Sequence, residues 1–288
     1  MEETREIAAL FHLIDDPDKE VFTTVSERIV SFGRPIIPNL EHLWEITPDL
    51  KVQERIELLI HNLHFKDLKT EIAEWGDQPE HDLLTGSLLV SKYLYPDLAL
   101  TTVLQEIEKM RRNVWLELNS YLTPLERMKV VSTILHTYFY LKGTDIDYSQ
   151  PAAFLVDKAV ETKKGNSIAN GILYSCLCSM LDIPLKVVSV PNQFVLAYFD
   201  EEIEEAKGNL IHAIQLYLDP MTGHVFTRAD MERYFRRLNV AADASYFIPM
   251  TNKRIVKHQL QEMAKCFDDE TNKYKQDELA QLAALLLT

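Results

Sequence analysis

A serine opens the most apolar stretch of this chain. From Lys163 to Leu181 the sequence reads KKGNSIANGILYSCLCSML, a Gly-Asn turn leading into a run in which Ala169, Ile172, Leu173, Cys176, Leu177, Met180 and Leu181 recur at helical spacing. Ile168, Tyr174 and Cys178 make much of the other face apolar as well, so the run predicts a helix in the middle of a domain. The first residues of such a helix aim free N–H groups and the positive end of its dipole at whatever lies before them. Ser167 sits there: a nucleophile if a general base is positioned beside it, and otherwise an N-cap for the helix it opens. Lys163 and Lys164, next to the turn, would receive an anionic ligand at the helix start or form a solvated pair. Asp219 stands in Asp219-Pro220-Met221-Thr222-Gly223, where a carboxylate fixes a turn. Cys176, Cys178 and Cys266 have no disulfide framework or zinc spacing. Cys176 and Cys178 are two apart on the expected helix and point about 200° from each other, so they read as buried structural thiols, not as joint metal ligands.

The elements that must position these residues follow from periodicity. From Thr4 to Trp75 the pattern is helical: Asp16-Pro17-Asp18 reads as an N-cap with proline at the first helical position, followed by Val21, Val25, Ile29 and Phe32 up to Gly33. A short helix carries Ile37, Leu40, Leu43 and Trp44, and VQERIELLIHNLHF and KDLKTEIAEW read as a further pair, so two helical hairpins resemble stacked HEAT-type repeats. Gly76 to Pro79 is a break. Two more helices follow, closing near Asn119, and Thr123-Pro124-Leu125-Glu126 is a capping box for a helix from Pro124 to about Leu141. Tyr148 to Phe154 reads as a loop and Leu155 to Thr162 as a short helix.

After Ile183-Pro184 the period shifts from 3.6 to 2. LKVVSV, QFVLAYF, AIQLYL and HVF carry the β-branched and aromatic signature of strands, and the second, apolar on both faces, is expected at the centre of a covered sheet. The acidic insert DEEIEEAKGN reads as a solvated hairpin loop. Thr227 caps RADMERYFRRL, and two helices flanking Asp268-Asp269 form a final hairpin, a tetratricopeptide-like tail or a lid. The expected organisation is therefore α+β and mostly helical: residues 1–76 as HEAT-like hairpins, 77–245 as the core, and 246–288 as a C-terminal hairpin.

The 288 residues are 47% hydrophobic and carry a formal net charge of −14. That charge repels phosphate-rich partners, which argues against nucleic acid and anionic membrane surfaces and leaves metabolites, peptides and proteins. MEETREIAAL has neither a basic nor an apolar leader segment, and no run approaches the roughly 20 apolar residues of a membrane span. The expected location is the cytoplasm. No cofactor and no metal are expected.

A helix followed by an antiparallel meander, with the helix start facing the sheet, is similar to the layout of papain-like cysteine-nucleophile folds. The dispersed motifs Tyr148 and Pro151, Lys164-Gly165-Asn166-Ser167-Ile168, Ile183-Pro184, Pro191-Asn192-Gln193-Phe194 and Asp219-Pro220 closed by Gly223 resemble the transglutaminase-like superfamily. Among its members they are most similar to the bacterial invasion-regulator-like branch with helical-repeat flanks. The resemblance spans roughly residues 120–240. It implies a core in which a Cys at the helix start, a His on the neighbouring strand and an Asp at the end of the next form a catalytic triad. Carried onto this chain, those positions hold Ser167, Gln193 and Asp219.

Two of the three functions are then missing. A serine hydroxyl is a far weaker acid than a thiol, and the Gln193 amide accepts no proton near pH 7. Loss of one triad member commonly costs about three to four decades in rate. His212 and His224 flank Asp219 as substitute bases, and Gln193 is expected to hydrogen-bond Ser167 or Asp219 in a buried polar remnant. The expected function is a non-catalytic, protein-binding or regulatory module. The alternatives are an amide hydrolase or acyl-transfer enzyme using Ser167 with an unidentified base, and a small-ligand pocket near Ser167.

Overall fold

The computed structural model describes residues 2–191, 193–199 and 213–286. Its residues group into two compact units, Met1–Glu71 and Ile72–Thr288.

The first unit is helical. α1 (Glu2–Phe11), α2 (Lys19–Ser31), α3 (Ile37–Ile46) and the first part of α4 (Leu50–Gly76) enclose a core of Ile14, Val25, Ile29, Ile36, Leu40, Ile56, Leu59 and Leu63. Two sequence readings change here. The cap of α2 is Asp18, whose side chain accepts from the Glu20 N–H, so Asp16-Pro17 precede the helix and do not begin it. VQERIELLIHNLHF and KDLKTEIAEW are one continuous helix, because nothing between them is glycine or proline and apolar positions continue at Leu63, Leu68 and Ile72. The second hairpin of the expected repeat pair is therefore absent.

In the second unit, α5 (Leu83–Lys92) and α6 (Leu100–Glu117) lead to α7 (Pro124–Ser132), which opens with the Thr123/Glu126 capping box read from the sequence. A π-helical stretch, Thr133–Tyr138, continues α7. The helix ends earlier than expected: Tyr140 turns left-handed (φ 58°) and the Leu141 N–H closes back on the Leu135 carbonyl at 2.9 Å. β1 (Lys142–Gly143) pairs in parallel with β2 (Lys164–Gly165), which replaces the plain turn expected before the central helix. Between them a 3-10 turn at Pro151–Phe154 precedes α8 (Val156–Thr162).

The central helix, α9 (Ser167–Ser179), is buried from Ile168 to Cys178. β3 (Leu185–Val190), β4 (Gln193–Phe199), β5 (Ile214–Leu218) and β6 (Val225–Phe226) form an antiparallel meander in that order, with β4 covered on both faces. α9 packs on β3 and β4 on one side and on α5 and α8 on the other. Four of its fully buried side chains, Ile172, Leu173, Tyr174 and Leu177, each gain about 1.5–3 kcal/mol by leaving water. Gly171 permits the closest approach, since a Cβ there would stand 2.5 Å from the Phe194 ring.

The far side of the sheet is closed by α10 (Arg228–Leu238), capped by Thr227 as expected, through Met231 and Phe235, together with Phe247 of the 3-10 turn Ala244–Phe247. α11 (Asn252–Ala264) and α12 (Lys273–Leu285) form the C-terminal hairpin, and α11 also lies against α5. The insert at 200–209 and His212 lie outside the described residues. No helix among the described residues is long and apolar enough to cross a membrane.

Candidate functional site

Ser167, Gln193 and Asp219 all line one cleft. It has a lobe of about 230 Å³, walled also by Asp145, Ile146, Phe194, Val195, Met221 and Phe226. A second lobe of about 400 Å³ shares Ile146, Ser167, Gln193 and Phe194 with the first and continues along Ile168, Ser189 and Val190 to Tyr148, His258, Glu262 and Lys265. Ser167 thus stands at the junction.

Ser167 is half-buried and is the first residue of α9, not its cap. Asn166 is the cap: fully buried, its Oδ1 accepts from the N–H groups of Ile168 (3.0 Å) and Ala169 (3.1 Å). Two of the donors that a helix start offers are therefore already occupied by this chain's own side chain. Ser167 keeps its own N–H without an intrahelical acceptor, as the first helical position must.

Gln193 begins β4 and is exposed, so the expected buried polar remnant is not formed; no hydrogen bond joins it to Ser167 or Asp219 among the described residues. The edge position explains this. The strand starts at the cleft mouth, where water solvates the amide. Asp219 is half-buried, and its carboxylate faces its own turn: Oδ1 accepts from the Met221 N–H at 2.9 Å and Oδ2 from the Thr222 hydroxyl at 2.8 Å. His224 is exposed and lies outside the cleft lining; it contributes a carbonyl to the Asp219 N–H at 3.0 Å. Lys163 lies 3.8 Å from Glu106 with its ammonium over Phe139, while Lys164 is exposed on β2.

The chain belongs to the transglutaminase-like superfamily. The family model of that description matches residues 101–261, more than half of the chain. No curated protein and no solved structure gives a match. The matched range holds α9, the meander and every residue lining the cleft except Glu262 and Lys265, so the groove over the central helix start lies in this superfamily's core in the present chain.

Two histidines near the cleft were not singled out in the sequence. His136, on the π-helical stretch, faces the Asp219 turn from behind. Its Nδ1 lies 2.8 Å from the Leu141 carbonyl and its Nε2 is buried without a partner. Its ring is 2.6 Å from where a Gly223 Cβ would stand. Burial lowers its pKa below the ordinary imidazole value, against the opposing effects of the Leu141 carbonyl and the Asp219 charge.

His258, on α11, stacks on Phe194 with ring centroids 5.7 Å apart and an interplanar angle of 6°. Burial depresses its pKa too, with the Glu262 carboxylate pulling the other way. Glu262 accepts from Tyr148 at 2.9 Å and from Lys265 at 2.6 Å; burial pushes its carboxyl up, but those bonds and the nearby positive charges hold it below the ordinary value.

No residue pattern could have drawn attention to His258, because its relation to Ser167 exists only once α11 is laid beside β4. The buried thiols are inert: burial raises the pKa of Cys176 strongly and that of Cys178 to about 12. Among the described residues no group of three His, Cys, Asp or Glu side chains is arranged to hold a metal.

Proposed function

We propose that the chain is a transglutaminase-like module in which the cysteine, histidine and aspartate chemistry has lapsed, and that its cleft receives a segment of a protein partner. The observation that carries this reading is the engagement of the inherited positions by the fold itself. Asn166 occupies two N–H groups at the helix start, and Asp219 is bonded into its own turn. Ser167 and Gln193 supply neither a thiol nor an imidazole, yet the groove above them stays open at about 230 and 400 Å³ in its two lobes. A lapsed site with no occupant would gain stability by filling with side chains.

Within the superfamily, the order of the Lys-Gly-Asn, Pro-x-Gln-Phe and Asp-Pro motifs supports placement nearest the invasion-regulator-like branch. The N-terminal helices are then an accessory module, and the hairpin at 246–288 is part of the core unit of 72–288, in a cytoplasmic protein. The net charge of −14 supports a protein and not a nucleic acid as partner.

The reading is tested by placing a photo-cross-linking residue at position 193 in the native cell, with position 121 on an exposed loop as the control. A discrete adduct from 193, absent from 121 and abolished by Val190→Trp in the cleft wall, is the expected result. No adduct at 193, or one that survives filling the cleft, refutes it. Purified protein is also expected to incorporate no amine into glutamine-bearing proteins.

A further inference from the structure

We infer that His258 gives Ser167 the general base that its family position no longer holds, and that the larger lobe of the cleft is a serine acyl-transfer site for carboxylic esters or amides. The inference goes beyond partner binding and does not depend on it.

The argument is geometric. Ser167, Gln193, His258 and Glu262 all line the same lobe of about 400 Å³. In the superfamily layout a base on the strand beside the helix start serves the nucleophile, and here that strand begins with Gln193. The imidazole comes instead from α11 and lies flat on Phe194, the residue immediately after Gln193. Phe194 in turn rests on Gly171, one helical turn from Ser167. A different element therefore brings an imidazole into the lobe that Ser167 lines.

No hydrogen bond of either His258 ring nitrogen is formed among the described residues, so the ring is available to a hydroxyl or to water in the lobe. The charged and titratable groups facing it are Glu262 from α11, Lys265 just after it and Tyr148 from the loop after β1. Glu262, one turn along α11, stabilises an imidazolium and is held by Tyr148 and Lys265, which makes it a positioning residue.

The step balances within this set. As Ser167 Oγ attacks the carbonyl carbon, its proton passes to His258 and a C–O bond forms. The carbonyl oxygen takes the electron pair, opposite the donors left at the site, the Ser167 N–H and the Gln193 amide. Collapse breaks the bond to the alkoxide or amine, which leaves with the proton from His258. Water, deprotonated by the same ring, then cleaves the acyl-serine and returns Ser167. The apolar walls of Ile146, Ile168, Val190 and Phe194 favour an uncharged acyl group.

The experiment is covalent labelling of the full chain with an alkyl fluorophosphonate, with the adduct located by peptide mass spectrometry. An adduct on Ser167 is expected, formed about 100-fold or more slowly in His258→Gln, the usual scale for loss of a general base. Its rate should rise as the imidazole loses its proton, with Glu262→Gln moving that midpoint to lower pH. A Ser167→Cys variant gives a second reading that needs no altered His258: alkylation of that thiol by iodoacetamide should have its midpoint at least one pH unit below the ordinary value of about 8.5, because an imidazolium in reach holds the thiolate. No adduct on Ser167, an adduct unchanged in His258→Gln, or a Ser167→Cys midpoint at or above about 8.5 overturns the inference while leaving partner binding standing.

Discussion

At the scale of single residues, one side chain separates the sequence reading of the site from its structure. Asn166, not Ser167, caps α9, with one oxygen serving two N–H groups inside the core. Asn166→Ala should therefore cost about 1–2 kcal/mol in urea unfolding, whereas Ser167→Ala should stay within about 0.5 kcal/mol. Equal effects would show that the serine caps after all. His136 supplies a pH dependence with a definite sign. Its folded pKa lies below the ordinary value, so the unfolded chain binds the proton first as pH falls. Stability present above about pH 6.5 is then lost as the solution is acidified towards the lower folded value. Denaturation midpoints between pH 7.5 and 5 should fall less steeply in His136→Gln; the remaining slope has a contribution of the same sign from His258.

At the scale of elements, the helix–sheet contact is set by a residue without a side chain. A methyl at Gly171 would meet the Phe194 ring, and His258 stacks on that same ring. Alanine is ordinarily the better helix former by about 1 kcal/mol. Gly171→Ala should nonetheless destabilise by about 1–3 kcal/mol, because overpacking displaces the ring, and it should alter the surroundings of His258, visible as a shift of its imidazole resonances in NMR. Unchanged stability and unchanged resonances would mean that the contact is looser than the geometry states. Gly223 is constrained in the same way, by its φ of +69° and by His136 behind it.

At the scale of the whole molecule, residues 72–288 form one compact unit, and the C-terminal hairpin is built into it. Gln259 is fully buried and donates to the Phe154 carbonyl at 2.9 Å, while Tyr93, at the C-terminal end of α5, donates to Glu278 of α12 at 2.7 Å. A chain ending at residue 251 should lose its near-ultraviolet circular dichroism and bind a hydrophobic dye, since the apolar face of α5 loses α11. Gln259→Ala should cost about 1–3 kcal/mol, because a buried carbonyl is left unpaired. A truncated chain that unfolds as cooperatively as the full one would show that the hairpin is dispensable.

Much of the fold was legible because its signals are local. The apolar period of α9, the alternation of β3 to β5 and the caps at Thr123 and Thr227 are each written within a few residues, where spacing dictates which face is buried. Residues 50–76 misled for the same reason: a polar stretch around His64 and Lys66 resembles a break when nothing shows that the helix continues past it. The sequence by itself determined a helix-then-meander core of the transglutaminase-like kind. Only the tertiary structure decided which side chain caps the helix, that Gln193 opens to water, and that His258 lies on Phe194. Those facts depend on elements far apart in the chain packing at close range, and no local pattern of residues encodes the distance between them.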